Sequence, residues 1–379
     1  MFTLLQRPLL PVFVAIGAAG FTLGLILPVT TVVLEEMAVS TPLIGFVGNL
    51  VSLGMLAGSF FVGRAILDYG VRAVLGAGLL LTVVAVGALS LWIYLPYWVL
   101  LRFILGIGMA AVFTASETLI NRCCNEGNRG RTLGLYGMAF SLSFMFGPLG
   151  LFMLHYGYRL PFIAGALVCL VPTLIVLRFL PLSGAELPIK KGTGKILVRR
   201  ISLSLSTMLL AGFMEGTLLV LIPLFTLRQG FSMGETGVLL FSFLLGHGCM
   251  PLATGFACDH WGFPRTLSAV VMGGIPAFIL VPFTSQYIAL ILLFVVCGAS
   301  VGSLYPISIG LLADVLTPTE LPRGNAMTTF CYGLGSVLGP VATAFVMHFI
   351  GVSSLFFVAG FVYIIFMGLR FSGVVRHRC

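Results

Sequence analysis

Four ionisable residues lie inside long apolar stretches of the sequence. Arg102 and Glu117 share one stretch, Glu215 lies in a second and His247 in a third. A charge at the centre of a bilayer costs about 2.5–3.5 kcal/mol on insertion scales, so residues retained there commonly bind a ligand or carry a proton. No basic residue lies within two helical turns of Glu215 along the chain, and an imidazole such as that of His247 titrates near neutral pH. These two side chains are therefore candidates for proton exchange.

The elements that must hold these residues are membrane-spanning helices. The 379 residues are 59% hydrophobic and 8% charged, whereas about 25% is charged in soluble domains. Apolar runs of about 20 residues, the length that crosses a bilayer, occur twelve times along the chain. The sequence therefore predicts an all-α polytopic membrane protein with twelve transmembrane helices.

A polar segment rich in lysine and arginine divides the predicted spans six and six. We therefore predict an N-terminal six-helix bundle over 1–181, a cytoplasmic linker over 182–200 and a C-terminal six-helix bundle over 201–379. Two equal halves suggest an internal repeat. The loop after the second span of each half supports an internal repeat, because residues 63–72 align with residues 255–265. The residues of interest are Gly63, Asp68, Gly70 and Arg72 in the first segment, and Gly255, Asp259 and Gly262 in the second.

The basic residues predict the orientation of the chain. With both termini in the cytoplasm, 17 of the 20 lysines and arginines fall on the cytoplasmic side, as the positive-inside rule requires. We therefore expect an integral protein of a bacterial cytoplasmic (inner) membrane with cytoplasmic N- and C-termini. Nucleic-acid binding is disfavoured, since the positive charge is spread over many short loops.

Arg102 and Glu117 are unsuited to pair with each other. They are 15 positions apart, which is about 22 Å along a straight helix. Two roles are open for Arg102. It takes part in proton coupling or lines the cavity, or it only packs against a helix or snorkels to the membrane interface. Two roles are also open for Glu117. It binds substrate or a proton, or it pairs with loop arginines such as Arg122 and Arg131 and so closes the cytoplasmic side.

These motifs resemble the major facilitator superfamily over essentially the whole length. The loop signature of that superfamily is matched best by Gly255, Asp259 and Gly262, whereas the first-half copy has Leu67 at the usual aspartate position. Arg102 is followed by Gly106 and Gly108, similar to the fourth-span signature in which the arginine is tied to proton coupling.

Within the superfamily, the pattern is most similar to the YcaD-like branch. Glu117 precedes an Arg-Gly-Arg loop, and Tyr305, Pro306 and Asp314 follow in the tenth span. The resemblance implies two pseudo-symmetric six-helix bundles of the MFS fold. We interpret Asp314 as a helix-end or gating residue. The aligned loop residues are also predicted to act in gating: Gly63, Asp68, Gly70, Arg72, Gly255, Asp259 and Gly262.

The resemblance and the buried charges together predict a secondary transporter that works by alternating access. We expect a proton gradient as the energy source, no cofactor and no metal, a small-molecule substrate, contact with membrane lipid and a monomer. Export is slightly favoured by the Gly147-Pro148 turn, which is similar to a motif of exporters. Proton-driven uptake of a metabolite, vitamin or siderophore is the alternative. An intramembrane enzyme is disfavoured because the sequence contains no nucleophile motif.

Overall fold

The predicted helical architecture is present. A computed structural model describes residues 10–123, 126–179, 198, 200–316 and 321–372. Within these residues, twelve helices are long and apolar enough to cross a membrane, which confirms the predicted fold class. The linker predicted at 182–200 lies outside the described residues, apart from 198 and 200.

Within the first six helices and within the last six, the helices follow one another along the chain with short connections. The first six are α1 (Leu10–Glu36), α2 (Thr41–Tyr69), α3 (Val71–Leu89), α4 (Leu95–Cys123), α5 (Glu126–Phe146) and α6 (Arg159–Phe179), with a 3-10 segment at Gly147–Tyr156. The last six are α7 (Ser202–Arg228), α8 (Met233–Trp261), α9 (Phe263–Leu280), α10 (Tyr287–Ala313), α11 (Leu321–Ile350) and α12 (Ser354–Phe371). Helices satisfy their own backbone hydrogen bonds, which is why apolar runs of this length adopt them in lipid.

The chain forms two compact units. Unit 1 comprises the described residues of Met1–Val33 and Leu50–Pro188, and unit 2 comprises those of Leu34–Asn49 and Ile189–Cys379. The limits predicted for the two bundles, 1–181 and 201–379, stay predictions.

Residues 34–49 are held within unit 2 by polar contacts. The Glu35 carboxylate accepts two hydrogen bonds from the Arg228 guanidinium, at 2.7 and 3.0 Å. The Asn49 side-chain amide donates to the Val337 carbonyl at 2.7 Å. A bidentate pair of this kind adds geometric specificity to the contact.

Glycines set the helix spacing in unit 1. A Cβ atom on Gly54 of α2 would lie 2.1 Å from the Phe103 carbonyl oxygen of α4, and one on Gly106 would lie 2.1 Å from that of Val51. Gly108 faces α3 in the same way, since its Cβ would lie 3.0 Å from the Gly78 oxygen. Small residues of this kind allow transmembrane helices to pack backbone against backbone. The fourth-span glycines therefore place α4, and with it Arg102, against α2 and α3.

The loops singled out in the sequence have matching backbone geometry in the two units. Gly70 connects α2 to α3 with φ 82° and ψ 160°, and Gly262 connects α8 to α9 with φ 77° and ψ 153°. Residues with a side chain rarely adopt this conformation. A glycine is therefore required at both junctions, in agreement with the predicted internal repeat.

Candidate functional site

The structure brings together two of the four ionisable residues named from the sequence. Glu215 lies on α7 and His247 on α8, and the Glu215 Oε2 atom is 3.5 Å from the His247 Nε2 atom. Their side chains are 21% and 23% exposed. Both groups are therefore accessible to water or a ligand, while much of the surrounding surface on these helices is apolar.

Two tyrosines complete this cluster. The Tyr332 side chain on α11 lies beside the Glu215 carboxylate. The ring of Tyr305 on α10 meets the Tyr332 ring edge to face, with centroids 5.7 Å apart and planes at 87°. Tyr305 is 45% exposed. We refer to Glu215, His247, Tyr305 and Tyr332 as the Glu–His–Tyr cluster.

Close helix contacts hold the backbone of the cluster in place. A Cβ atom on Gly212 of α7 would lie 2.0 Å from the Tyr332 carbonyl oxygen, which shows how tightly α7 packs on α11. A Cβ atom on Gly302 of α10 would lie 2.2 Å from the His247 carbonyl oxygen. Glycine contacts thus position the helices that carry both the histidine and the tyrosine.

The cluster contains the groups needed for reversible proton binding. A carboxylate and an imidazole 3.5 Å apart interact electrostatically, so a proton gained by one changes the charge felt by the other. A tyrosine hydroxyl is a hydrogen-bond donor for a carboxylate. The arrangement can therefore change its net charge when it gains or loses a proton.

Arg102 has a different environment in unit 1. It is fully buried, and its Nη1 atom donates to the Thr30 hydroxyl oxygen of α1 at 2.5 Å. The Thr30 hydroxyl in turn donates to the Ile26 carbonyl at 2.7 Å. A guanidinium in this position does not snorkel to water, so Arg102 forms an internal contact between α1 and α4.

Thr30→Val tests how strongly this contact stabilises unit 1. The substitution keeps the side-chain shape but removes the acceptor, and we expect it to cost about 1.5–3 kcal/mol, the range for hydrogen bonds to charged groups. The free energy of unfolding in mixed micelles measures the loss. Thr173→Val is the matched control, because the buried Thr173 hydroxyl donates to the Cys169 carbonyl of its own helix at 2.7 Å. Equal effects of the two substitutions would contradict a stabilising role for the Arg102 contact.

Glu117 lies apart from the other candidates. It is exposed on α4, 15 positions after Arg102 on the same helix, which corresponds to about 22 Å. The structure therefore does not pair these two residues, as expected. The side chains of Arg122 and Arg131, the proposed gate partners, lie outside the described part of the chain.

The predicted gating residues lie at helix ends. Asp68, Asp259 and Asp314 are exposed, and a Cβ atom on Gly63 or Gly255 would meet no neighbouring atom within 4 Å. The Arg72 guanidinium donates to the Leu177 carbonyl near the end of α6. These positions are accessible, and their part in gating stays a prediction.

Two contacts were not anticipated from the sequence. Thr30 is one of many threonines in the spans, and nothing in its neighbourhood marks it as the partner of Arg102. Tyr305 was noted as a motif residue, but its ring contact with Tyr332 was not predicted. Within the described ranges, no group of three or more His, Cys, Asp or Glu side chains could hold a metal ion.

A family model described as Major Facilitator Superfamily matches residues 12–234 and 204–377. The chain therefore belongs to the Major Facilitator Superfamily. It is an integral membrane transporter of the secondary type, and the prediction of a transporter in place of an enzyme is confirmed by this membership.

Similar proteins support the assignment along most of the chain. An uncharacterized MFS-type transporter, YfkF of Bacillus subtilis (strain 168), is 27% identical over 354 residues, covering 90% of this chain and 89% of the relative. YcaD of Escherichia coli O17:K52:H18 is 25% identical over 353 residues, with 90% and 89% covered. The resemblance to the YcaD-like branch is thus confirmed at modest identity.

Solved structures share the fold. A bacterial homolog of the human lysosomal transporter Spinster superposes with a TM-score of 0.79 at 14% identity, covering 95% of both chains. A mutant of the nucleoside transporter NupG gives a TM-score of 0.79 at 11% identity, covering 95% of this chain and 99% of that one. These similarities establish the architecture and leave the substrate open.

Proposed function

We propose that this transporter couples the movement of a small organic molecule to a proton gradient, with Glu215 and His247 as the protonation site. The observation that carries the proposal is the 3.5 Å contact between the carboxylate and the imidazole inside unit 2. Ionisable residues in transmembrane segments are costly, and their default interpretation is functional.

Alternating access would expose the cluster to each side of the membrane in turn. A proton taken up on the acidic side changes the charge of the pair, and its release on the other side restores it. A change of charge shifts a conformational equilibrium only if the two conformations bind the proton with different affinity. In this scheme Arg102 acts by holding α1 against α4, and Glu117 serves as a gate or second site nearer the cytoplasm.

Export is the favoured direction. The exporter-like Gly147-Pro148 turn begins the 3-10 segment after α5, and a Cβ atom on Gly147 would lie 2.3 Å from the backbone of Gly24. This close contact supports a structural role for the motif. Uptake is the second candidate, because the Glu215–His247 contact serves proton symport equally well.

We also propose a membrane location and an assembly state for the protein. We place it in a bacterial cytoplasmic membrane as a monomer with cytoplasmic termini, supported by the charge distribution and by bacterial relatives. Gating is assigned to the exposed loop aspartates and their glycines.

Transport is tested in proteoliposomes after a thermal-shift screen of metabolites and drugs. A compound that stabilises the purified protein is labelled and used in counterflow, and its exchange across the membrane is the expected result. An imposed pH gradient then gives the direction, because antiport and symport accumulate the compound under opposite gradients. Chemical turnover of the compound without exchange would contradict the proposal.

A further inference from the structure

We infer that the Glu–His–Tyr cluster binds an organic cation with an aromatic or quaternary ammonium group, a conclusion that rests on the proposed proton-coupled function. The juxtaposition that carries it is a carboxylate, an imidazole that can lose its charge, and two tyrosine rings at right angles. All four side chains come from different helices of one unit.

The electrostatics of the cluster favour a positive ligand. Among its four side chains, Glu215 supplies the negative charge and His247 supplies a positive charge only when protonated. With the imidazole neutral, the cluster is negative and a cation compensates it. With the imidazole protonated, Glu215 already has a partner 3.5 Å away.

Within the part of the chain that the structure describes, the ionisable side chains beside Glu215 on the other helices are His247 of α8 and Tyr332 of α11. The Tyr305 ring of α10 contacts the Tyr332 ring. On α12, the Tyr363 hydroxyl accepts a hydrogen bond from Ser300 at 3.1 Å. The other ionisable group of that helix, Arg370, donates to the Pro264 carbonyl of α9.

The tyrosine pair supplies a surface for the ligand. Two rings at 87° with centroids 5.7 Å apart form the corner of an aromatic cage. Cations bind the faces of aromatic rings within about 6 Å of the centroid, and cages of this type recognise quaternary ammonium groups. Tyr305, which is 45% exposed, offers the more accessible ring.

Proton and cation would then compete for one carboxylate. Binding of the cation at Glu215 displaces the one proton that the Glu215–His247 pair holds, and that proton passes to solvent. Release of the cation lets the pair bind a proton again. One proton is exchanged for one monovalent cation, with charge conserved at the site.

Proton release on cation binding tests this inference in the purified full-length protein. Tetraphenylphosphonium, ethidium and phenyltrimethylammonium are added separately to the protein in weakly buffered detergent with a pH indicator. We expect at least one of them to release a proton from the wild type and not from Glu215→Gln. Tetraphenylborate has the shape of tetraphenylphosphonium with the opposite charge, and it should release none.

Two substitutions of Tyr305, one that removes the aromatic ring and one that keeps it, test whether the ring binds the cation. Tyr305→Leu should weaken binding of the active cation about 3- to 30-fold, the range of a cation–π contact, whereas Tyr305→Phe keeps the ring face and should bind within about 2-fold of wild type. Equilibrium dialysis of the labelled cation measures both. Equal losses in the two variants would overturn the aromatic part of the inference.

A pH titration of the same protein, followed by infrared spectroscopy, distinguishes cation binding at the cluster from proton binding at Glu215, the proposed function on which the inference rests. If a protonated-carboxyl infrared signal depends on Glu215 but no cation releases a proton, the cation inference is overturned and proton binding at Glu215 stands. If Glu215→Gln leaves the infrared signal unchanged, both are overturned.

Discussion

Glu215→Gln is expected to abolish accumulation driven by a pH gradient while leaving exchange of labelled substrate in place. The amide has almost the same shape as the carboxyl group, but it cannot take up or release a proton at physiological pH. The variant therefore lacks the carboxylate that binds the proton together with His247, and the gradient has no carboxylate–imidazole pair on which to act. Gradient-driven uptake and counterflow in the same proteoliposome preparation measure the two activities.

Glu235→Gln is the matched control for this experiment. Glu235 is exposed at the start of α8, where its side chain and that of Ser232 form a capping box, and glutamine serves in that motif as well as glutamate. This variant should accumulate substrate at the wild-type rate. Normal accumulation by Glu215→Gln would show that Glu215 is a structural residue.

Gly298→Val is expected to prevent correct folding of unit 2. A Cβ atom at this position of α10 would lie 1.8 Å from the Phe243 carbonyl oxygen and 3.1 Å from the His247 backbone nitrogen of α8. Overpacking against side chains costs about 1–3 kcal/mol, and here the obstacle is backbone, which cannot rotate away. We expect a loss at or above the upper end of that range, seen as a low yield of monodisperse protein and a lower unfolding temperature.

The control is the same substitution at an open position. A Cβ atom on Gly273 of α9 would meet no neighbouring atom within 4 Å, so Gly273→Val should fold with nearly wild-type stability. If Gly298→Val were as stable as Gly273→Val, then α8 and α10 would not be packed as closely as the structure shows.

Much of the fold follows from the sequence because the bilayer limits the choices. Apolar runs long enough to cross it must form helices, and twelve of them are found where the sequence predicts them. Gly70 and Gly262 were aligned from the sequence alone, and both have the positive φ that only glycine adopts readily. Helix length and junction chemistry are local properties, so a local pattern predicts them.

The composition of the candidate site depends on properties that are not local. Glu215 and His247 were both expected inside membrane spans, yet their contact depends on how α7 and α8 are rotated about their axes. Nearly uniform apolar helices give little indication of that rotation, and glycine contacts such as that of Gly302 with the His247 backbone determine it. The Thr30–Arg102 hydrogen bond was missed for the same reason.

Infrared difference spectroscopy between acidic and alkaline buffer tests the central claim most directly. The protein, reconstituted in lipid, should show a protonated-carboxyl band at low pH that is absent from Glu215→Gln and retained in Glu117→Gln and Glu235→Gln. The midpoint of the band should shift in His247→Asn, since the imidazole contacts the carboxylate. A band that persists unchanged in Glu215→Gln would contradict proton binding at this residue.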